Sequence, residues 1–195
     1  MFNFTAINKI VPVDIDSWNT YNAQGQISQY DATFKWWQWT VDYIIGEAMP
    51  QLNASTPAAA VDKLTAGLAK SICTTAQTYC KGTNQQYQSA GECYDHLTKK
   101  VRFGESYELG TSPLIPNPKP QTPKENLGTD SLLTGRNTLL CRSVHQNMVP
   151  FRPSVHCPHI GKTGGGYCTD DTTYTETVMR NYFTNAPYIP YGYKG

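Results

Sequence analysis

Six cysteines in a chain of 195 residues are the feature that most restricts the fold. None of them shows the paired CxxC spacing of zinc ribbons and zinc fingers, so this even set predicts three disulfides. Each disulfide contributes about 2–4 kcal/mol to the free energy of unfolding. Because disulfides persist in oxidising compartments, the cysteines favour a secreted, extracellular protein. The six residues are Cys73, Cys80, Cys93, Cys141, Cys157 and Cys168.

The composition agrees with an extracellular location. Only 16% of the residues are charged and the formal net charge is +1. No basic run is present that would bind phosphate groups, so we expect no nucleic-acid partner. No apolar stretch is long enough to span a membrane. The first ten residues, MFNFTAINKI, lack the basic and apolar regions of a secretory signal peptide, so we expect a mature or recombinant chain.

Two acceptor motifs for N-linked sugars are present, at Asn3-Phe4-Thr5 and at Asn53-Ala54-Ser55. Both have a permitted middle residue, and the second lies in a polar connection beside a proline. Glycosylation of such motifs takes place on the surface of secreted proteins. The sequence therefore predicts a glycoprotein modified at Asn3 and Asn53.

Hydrophobic periodicity predicts an all-α protein, a single domain over residues 1–195 with about five helices and long loops. The first helix is expected over residues 26–49, where apolar side chains recur every three or four positions, and Pro50 is expected to end it. Trp36 and Trp39 lie off this apolar stripe. We therefore expect the helix to be buried on more than one side.

A second helix is expected over residues 58–79. Thr56 followed by Pro57 is a typical helix start, because a capping side chain precedes a proline in the first turn. It should form a hairpin with the next helix. The remaining predicted helices cover residues 85–103, 134–148 and 172–183.

Four segments are expected to be non-helical. Residues 1–24 predict an extended arm against the body, and residues 186–195 an aromatic tail. Residues 104–135 are rich in proline and predict a long polyproline-like loop, with a linker between domains as the alternative. Residues 141–171, here called the motif segment, predict an ordered loop, since their prolines restrict the backbone.

The motif segment carries half of the cysteines, three of the four histidines and the glycine run. Cys157 and Cys168 lie on either side of that run within the same irregular stretch. A local disulfide that closes this loop is therefore the first prediction for the pairing.

The other four cysteines can be paired by geometry. Cys73 and Cys80 are seven residues apart on one predicted helix, a separation of about 10 Å, which a disulfide cannot bridge. In a helix hairpin, Cys73 and Cys93 should face each other because both lie equally far from the turn. Cys80 and Cys141 then remain as the third pair.

His145, His156 and His159 are candidate ligands for a divalent metal ion, because imidazole is the commonest protein ligand of transition metals. Pro158 argues against a helical ligand pair, so the rings would have to converge from a loop. The alternative is structural, with the three histidines bonded to loop carbonyl groups.

The run Gly161-Lys162-Thr163-Gly164-Gly165-Gly166 imitates a phosphate-binding loop. It fails the Walker pattern, because His156 stands where the first glycine is needed and no apolar strand precedes the run. We expect instead a tight turn with positive φ angles, or a backbone pressed against another surface.

No nucleophile motif or nominated carboxylate pair accompanies these features, so an enzyme is the less favoured class. The tryptophans are expected in the core. Tyr188, Tyr191 and Tyr193 in the tail are harder to bury and are candidates for a protein interface. Carbohydrate could also stack on these rings.

The motif segment resembles a largely uncharacterised group of secreted fungal proteins. They share a pattern of the form CRxxH followed by RPxVHCPHxGxTGGGxC, which stands here as Cys141–His145 and Arg152–Cys168. The resemblance extends to small, non-catalytic subunits of heterodimeric fungal laccases. It implies a secreted accessory or binding protein, without a required cofactor, that associates with a partner such as a secreted oxidase. A metal-binding protein or metalloenzyme that uses the three histidines is the alternative.

Overall fold

The computed structural model of the protein describes residues 1–4, 8–104 and 137–170. Five α-helices dominate these residues and strands are few, so the predicted all-α class is confirmed. None of the described helices is long and apolar enough to cross a membrane. The helices are α1 (Trp37–Gln51), α2 (Pro57–Tyr79), α3 (Ala90–Lys99), α4 (Leu139–Gln146) and α5 (Pro153–Ile160), and the strands are β1 (Phe2–Phe4), β2 (Lys9–Val11), β3 (Asp14–Tyr21) and β4 (Ile27–Lys35).

The N-terminal residues form two antiparallel hairpins, β1 with β2 and β3 with β4. A turn joins β3 to β4, in which Asn22 Oδ1 accepts hydrogen bonds from the N–H groups of Gln24 at 3.0 Å and Gln26 at 2.9 Å. Gly25 has φ 73° in this turn, a value that glycine adopts without strain. The prediction that the first helix begins at residue 26 is therefore wrong, because the asparagine turn directs the following residues into β4.

Helix α1 begins at Trp37, after Trp36 with φ 55°. Trp37 is 9% exposed and belongs to the core, whereas Trp36 and Trp39 are 62% and 51% exposed and stack with ring centroids 5.2 Å apart. The expectations that all the tryptophans lie in the core and that a second side of the helix is buried are wrong for this pair. Pro50 lies inside α1, which ends one residue later.

Threonine caps begin two of the helices. The N–H of Ala59 donates to Thr56 Oγ1 at 3.2 Å, which confirms the predicted start of α2. In the same way the N–H of Cys141 donates to Thr138 Oγ1 at 3.1 Å. Helix α4 therefore begins after Thr138 and not at residue 134 as predicted.

Helix α3 is shorter than the predicted range of 85–103. Ser89 caps it by accepting the N–H of Glu92 at 3.1 Å, and the Glu92 carboxylate accepts the N–H of Gln88 at 2.6 Å. This reciprocal arrangement is close to a capping box, whose serine-x-x-glutamate signature is present in the sequence. The predicted hairpin of α2 and α3 is present.

Three disulfides join the six cysteines, each with a Cα–Cα distance of 5.7 Å: Cys73–Cys93, Cys80–Cys157 and Cys141–Cys168. The predicted pairing of Cys73 with Cys93 is confirmed. The predicted pairs Cys157–Cys168 and Cys80–Cys141 are wrong. Cys157 lies in helix α5 and not in an irregular loop, and its buried sulfur reaches the C-terminal end of α2, where Cys80 caps the helix.

Two groups of buried apolar side chains hold the helices together. The smaller group joins α1 to the beginning of α2. The larger group lies among α2, α3, α4 and α5 and contains all six half-cystines except Cys141 and Cys168, together with Ile72, Tyr87, Leu97, Leu139 and Ile160. This larger core holds α4 and α5 in a defined position against α2.

Some predictions lie outside the described residues. They are most of the proline-rich loop, the helix expected over residues 172–183 and the aromatic tail over residues 186–195.

Candidate metal centre

The motif segment is built from two short helices and a glycine turn, and not from the predicted irregular loop. His145 lies in the last turn of α4, while His156 and His159 lie on α5. Residues three apart on a helix share one face. The fold therefore brings all three histidines together, as the sequence predicted for a metal site, and they are called here the three-histidine centre.

Pro158 does not keep the two histidines of α5 from sharing a helix. It lies inside α5, where it removes one N–H donor, and its carbonyl oxygen accepts the N–H of Gly161 at 3.0 Å. The Cys157 disulfide and the buried Ile160 side chain anchor the same turn in the core. The argument that the proline excludes a helical ligand pair is therefore wrong.

The ring nitrogens of the centre converge on one place. His145 Nδ1 lies 3.3 Å from His156 Nδ1 and 3.1 Å from His159 Nδ1. One Nδ1 carries either one proton or one in-plane lone pair, so His145 cannot make good hydrogen bonds to both neighbours. A tetrahedral ion with metal–nitrogen bonds of about 2.0–2.1 Å separates its nitrogen ligands by about 3.3 Å. The spacing thus fits three ligands of one ion.

The surroundings keep the imidazole rings neutral. Burial, together with the neighbouring histidines His159 and His156, lowers the pKa of His145 to about 4. Burial also lowers the pKa of His156, to which the positive charge of Arg152 adds, and that of His159, which is 6% exposed. Metal ions bind the neutral form of imidazole, so the centre is in its metal-binding protonation state at neutral pH.

The glycine turn packs directly on the centre. Gly164, Gly165 and Gly166 all have positive φ angles, between 57° and 78°. A Cβ atom at Gly165 would lie 2.9 Å from His159 Cδ2 and within 2.8 Å of Pro158. Both expectations for this run, positive dihedral angles and close packing, are confirmed. The Cys141–Cys168 disulfide holds the turn, and not the bridge from Cys157 that was predicted.

Tyr167 follows the glycine turn and adds an aromatic ring to the centre. Its ring centroid lies 4.4 Å from that of His159 and 5.9 Å from that of His145, and the side chain is 54% exposed. Sequence reasoning missed this residue. Its position in the sequence, between the glycine run and Cys168, could have indicated that the ring is held beside the histidines.

The sulfur atoms of Cys141 and Cys168 also lie close to His145. Both sulfurs belong to a disulfide and therefore provide no thiolate ligand. In this oxidised form, the ligand atoms that the described residues place beside His145 are those of the other two histidines.

No described carboxylate belongs to the three-histidine centre. Asp170 is near in sequence, but its two oxygens accept hydrogen bonds from Arg102 at 3.1 Å, and one of them also accepts the N–H of Asn137. The Glu92 carboxylate forms an ion pair with Lys162. The described side chains would therefore leave the full positive charge of an ion at the centre unbalanced.

Arg142 is a second residue that sequence reasoning missed. Its side chain is fully buried and donates hydrogen bonds to the carbonyl oxygens of Gly161, at 3.2 and 3.3 Å, and Thr138, at 3.2 Å. Nearby, the buried hydroxyl of Tyr87 donates to Ile160 O at 3.0 Å, and burial raises the pKa of Tyr87 to about 12. These bonds fix the end of α5, and with it His159, relative to α4.

The other predicted sites stand apart from the centre. Asn3 and Asn53 are exposed, in β1 and in the connection after α1. The interface candidates Tyr188, Tyr191 and Tyr193 lie outside the described residues.

Comparison with known proteins identifies relatives along almost the whole chain. Residues 1–32 match the model of the BfoA N-terminal domain, and residues 36–116 and 122–171 match that of the BfoA family C-terminal domain. The second match includes the three-histidine centre. No solved structure matches the chain.

The curated relatives include proteins of two Aspergillus species. Bifonsecin B biosynthesis cluster protein A of Aspergillus brasiliensis is 41% identical over 186 residues, which are 95% of this chain and 54% of the relative. Aurasperone B biosynthesis cluster protein A of Aspergillus niger is 42% identical over 186 residues, which are 95% of this chain and 52% of the relative. The chain thus spans about half the length of these relatives, whose fungal origin agrees with the predicted resemblance. It belongs to the BfoA family.

Proposed function

We propose that the protein binds one divalent transition-metal ion through His145, His156 and His159. The observation that carries the proposal is the convergence of their Nδ1 atoms, with His145 at 3.3 and 3.1 Å from its two neighbours. The lowered pKa values of the three rings support it, since they leave the nitrogen lone pairs available at neutral pH.

The ligand set favours zinc or copper. Imidazole suits Zn²⁺, Cu²⁺, Fe²⁺ and Ni²⁺, and the affinity of nitrogen ligands rises along the series to Cu²⁺. Three protein ligands leave a coordination position for water or an outside ligand, which is the arrangement of catalytic and not of structural zinc sites. A centre of this kind can bind and polarise an outside molecule.

The biological setting that we propose is a fungal biosynthesis cluster. Two relatives are named as biosynthesis cluster proteins, for bifonsecin B and for aurasperone B. We further propose that the protein is secreted and glycosylated. Three disulfides and the exposed acceptor residues Asn3 and Asn53 support this location.

Elemental analysis of protein purified without chelator tests the metal proposal, followed by titration with Zn²⁺ and Cu²⁺ at pH 7.5. We expect one ion per chain. His156→Ala should reduce the affinity strongly because it removes one of three ligands. His96→Gln is the matched control, because His96 lies on α3 outside the centre, and it should bind as the wild type does. Failure to retain or bind any ion at one per chain would overturn the proposal.

An accessory function with a protein partner, such as a secreted oxidase, is the second candidate. The stacked, exposed pair Trp36 and Trp39 favours it, because tryptophan is enriched among the residues that dominate the binding energy of protein interfaces. Tyr43 follows one turn later on α1 and is 49% exposed. Purification from the native culture medium tests this function. We expect a partner protein to copurify and to be lost when Trp36 and Trp39 are replaced by alanine, whereas a chain that always elutes alone would argue against it.

A further inference from the structure

We propose that the open side of the three-histidine centre binds a small aromatic oxyanion, such as a ring-borne carboxylate or phenolate, through contacts with Arg152 and Tyr167. This inference rests on the proposed metal-binding function and names the class of molecule that the bound ion would hold. It comes from three observations on the charge and the surroundings of the centre.

The first observation concerns the charge of the ligand set. Three neutral imidazoles leave a divalent ion with its charge of +2. Within the described part of the chain, the group of ligating side chains at this place contains no aspartate or glutamate. The carboxylates of Glu92 and Asp170 are already paired with Lys162 and Arg102. The charge of the ion must therefore be balanced from outside the described residues, and an anion in the open position does so directly.

The second observation is a further positive charge beside the centre. Arg152 precedes α5, and its carbonyl oxygen accepts the N–H of His156 at 3.0 Å. Arg152 is the N-terminal cap residue of α5, one turn before His156, and its positive charge is close enough to that ring to lower the pKa of His156, after the larger effect of burial. The Arg152 side chain is exposed, and none of the ion pairs found among the described residues includes it. A guanidinium group binds a carboxylate with two parallel hydrogen bonds.

The third observation is the aromatic ring next to the ligands. Tyr167 contacts the rings of His159 and His145, at centroid distances of 4.4 and 5.9 Å, yet it remains 54% exposed. The Cys141–Cys168 disulfide adjoins it and limits its movement. A partly exposed ring held in this place offers stacking surface to a second ring. The ligand class is therefore an anion that carries an aromatic group.

Binding of benzoate and acetate to the Zn²⁺- and Co²⁺-loaded full-length chain tests the inference. The two probes share the carboxylate and differ in the ring. Metal affinity is measured first, by titration of the chelator-treated protein. Anion binding is then followed by calorimetry and by the visible absorption of the Co²⁺ form. For the wild type we expect benzoate to bind about three- to tenfold more tightly than acetate.

Two variants separate the charge from the ring. Arg152→Gln should weaken the binding of both anions about three- to tenfold, since a charge-assisted contact is lost. The same change should leave metal affinity equal or slightly higher, because it removes a repelling positive charge. Tyr167→Leu should abolish the preference for benzoate and leave acetate binding unchanged. Lys35→Gln, a loss of one positive charge on β4, is the control and should change neither affinity.

The outcomes distinguish the two proposals. If no metal binds, the proposed function and this inference fail together. If metal binds but neither anion does, or if Arg152→Gln leaves anion affinity unaltered, only the inference fails. A parallel loss of metal and anion affinity in Arg152→Gln would show that Arg152 supports the fold of α5, which also contradicts the inference.

Discussion

The Nδ1 atoms of His145 and His159 lie 3.1 Å apart, although the two residues belong to different helices and are 14 positions apart in the chain. Two neutral imidazoles at this distance share at most one proton, and a third ring, that of His156, approaches the same atom of His145. Without an ion, this arrangement lowers the free energy of unfolding by an amount that depends on pH.

We predict that the metal-free protein loses stability in acid because of His145. Its folded pKa is about 4, below the ordinary value of 6.5, so between these values the unfolded chain binds a proton that the folded chain does not. Above about pH 6.5, His145 is neutral in both the folded and the unfolded chain, and the free energy of unfolding has its full value. This free energy then decreases as pH falls from 6.5 towards 4. After allowance for the partial exposure of the ring, we expect a loss of about 1–2 kcal/mol.

Urea unfolding at pH 7.5 and pH 4.5, with chelator present, measures this loss. Other groups also titrate in the same range, among them His156 and His159, whose pKa values are lowered from 6.5 mainly by burial. His145→Gln serves as the reference, because the difference between the two proteins isolates the histidine. An equal loss of stability in both proteins would contradict the prediction.

The affinity for metal should persist to lower pH than in an ordinary histidine site. Protons compete with the ion only when the folded rings titrate, and the pKa values of all three rings are lowered, mainly by burial. We expect Zn²⁺ affinity to change little between pH 7.5 and pH 6.5. It should decrease only at pH values lower than 6.5. An unstructured peptide with three histidines should lose affinity already around pH 6.5. Identical pH profiles for protein and peptide would show that the fold does not lower the pKa values of the three rings.

Part of this structure could be predicted from local sequence patterns. The start of α2 follows from Thr56 and Pro57, whose effects act within one helical turn. The pair Cys73–Cys93 follows from the length of a helix hairpin, which links residues only 20 positions apart. The grouping of the three histidines was also predicted, because they lie within one short segment.

The rest depends on contacts between distant parts of the chain. Cys80 and Cys157 are 77 positions apart, and their pairing requires the position of α5 against the end of α2, which no local pattern contains. Pro158 suggested a loop, yet the disulfide and the core hold it in a helix. Burial of Arg142 depends on carbonyl oxygens from two elements, one of them 19 positions away, so composition alone could not predict it.

Removal of the Cys141–Cys168 disulfide should affect the centre as well as the stability. The bond links residues 27 positions apart, so its replacement by two alanines should cost about 3–4 kcal/mol. Because it anchors the glycine turn beside His159, we also expect Zn²⁺ affinity to fall about tenfold or more. The matched control replaces Cys73 and Cys93, 20 positions apart, by alanine. It should lose similar stability and keep its metal affinity, and equal affinities in the two double variants would exclude a role of the first disulfide in the centre.

Gly165→Ala should damage the centre through the backbone. Gly165 has φ 57°, and an added Cβ atom would lie 2.7 Å from the carbonyl carbon of Pro158 and 2.9 Å from His159 Cδ2. The left-handed conformation costs about 1–2 kcal/mol for alanine, and the close contacts cost about 1–3 kcal/mol more.

Gly166→Ala is the control, because its φ of 78° carries the same strain while nothing lies within 4 Å of the added atom. We expect denaturant unfolding to show a loss of about 2–5 kcal/mol for Gly165→Ala and about 1–2 kcal/mol for Gly166→Ala. Zn²⁺ titration should show weaker binding for Gly165→Ala alone, since only that substitution displaces a ligand; equal effects of the two variants would mean that the turn does not position His159.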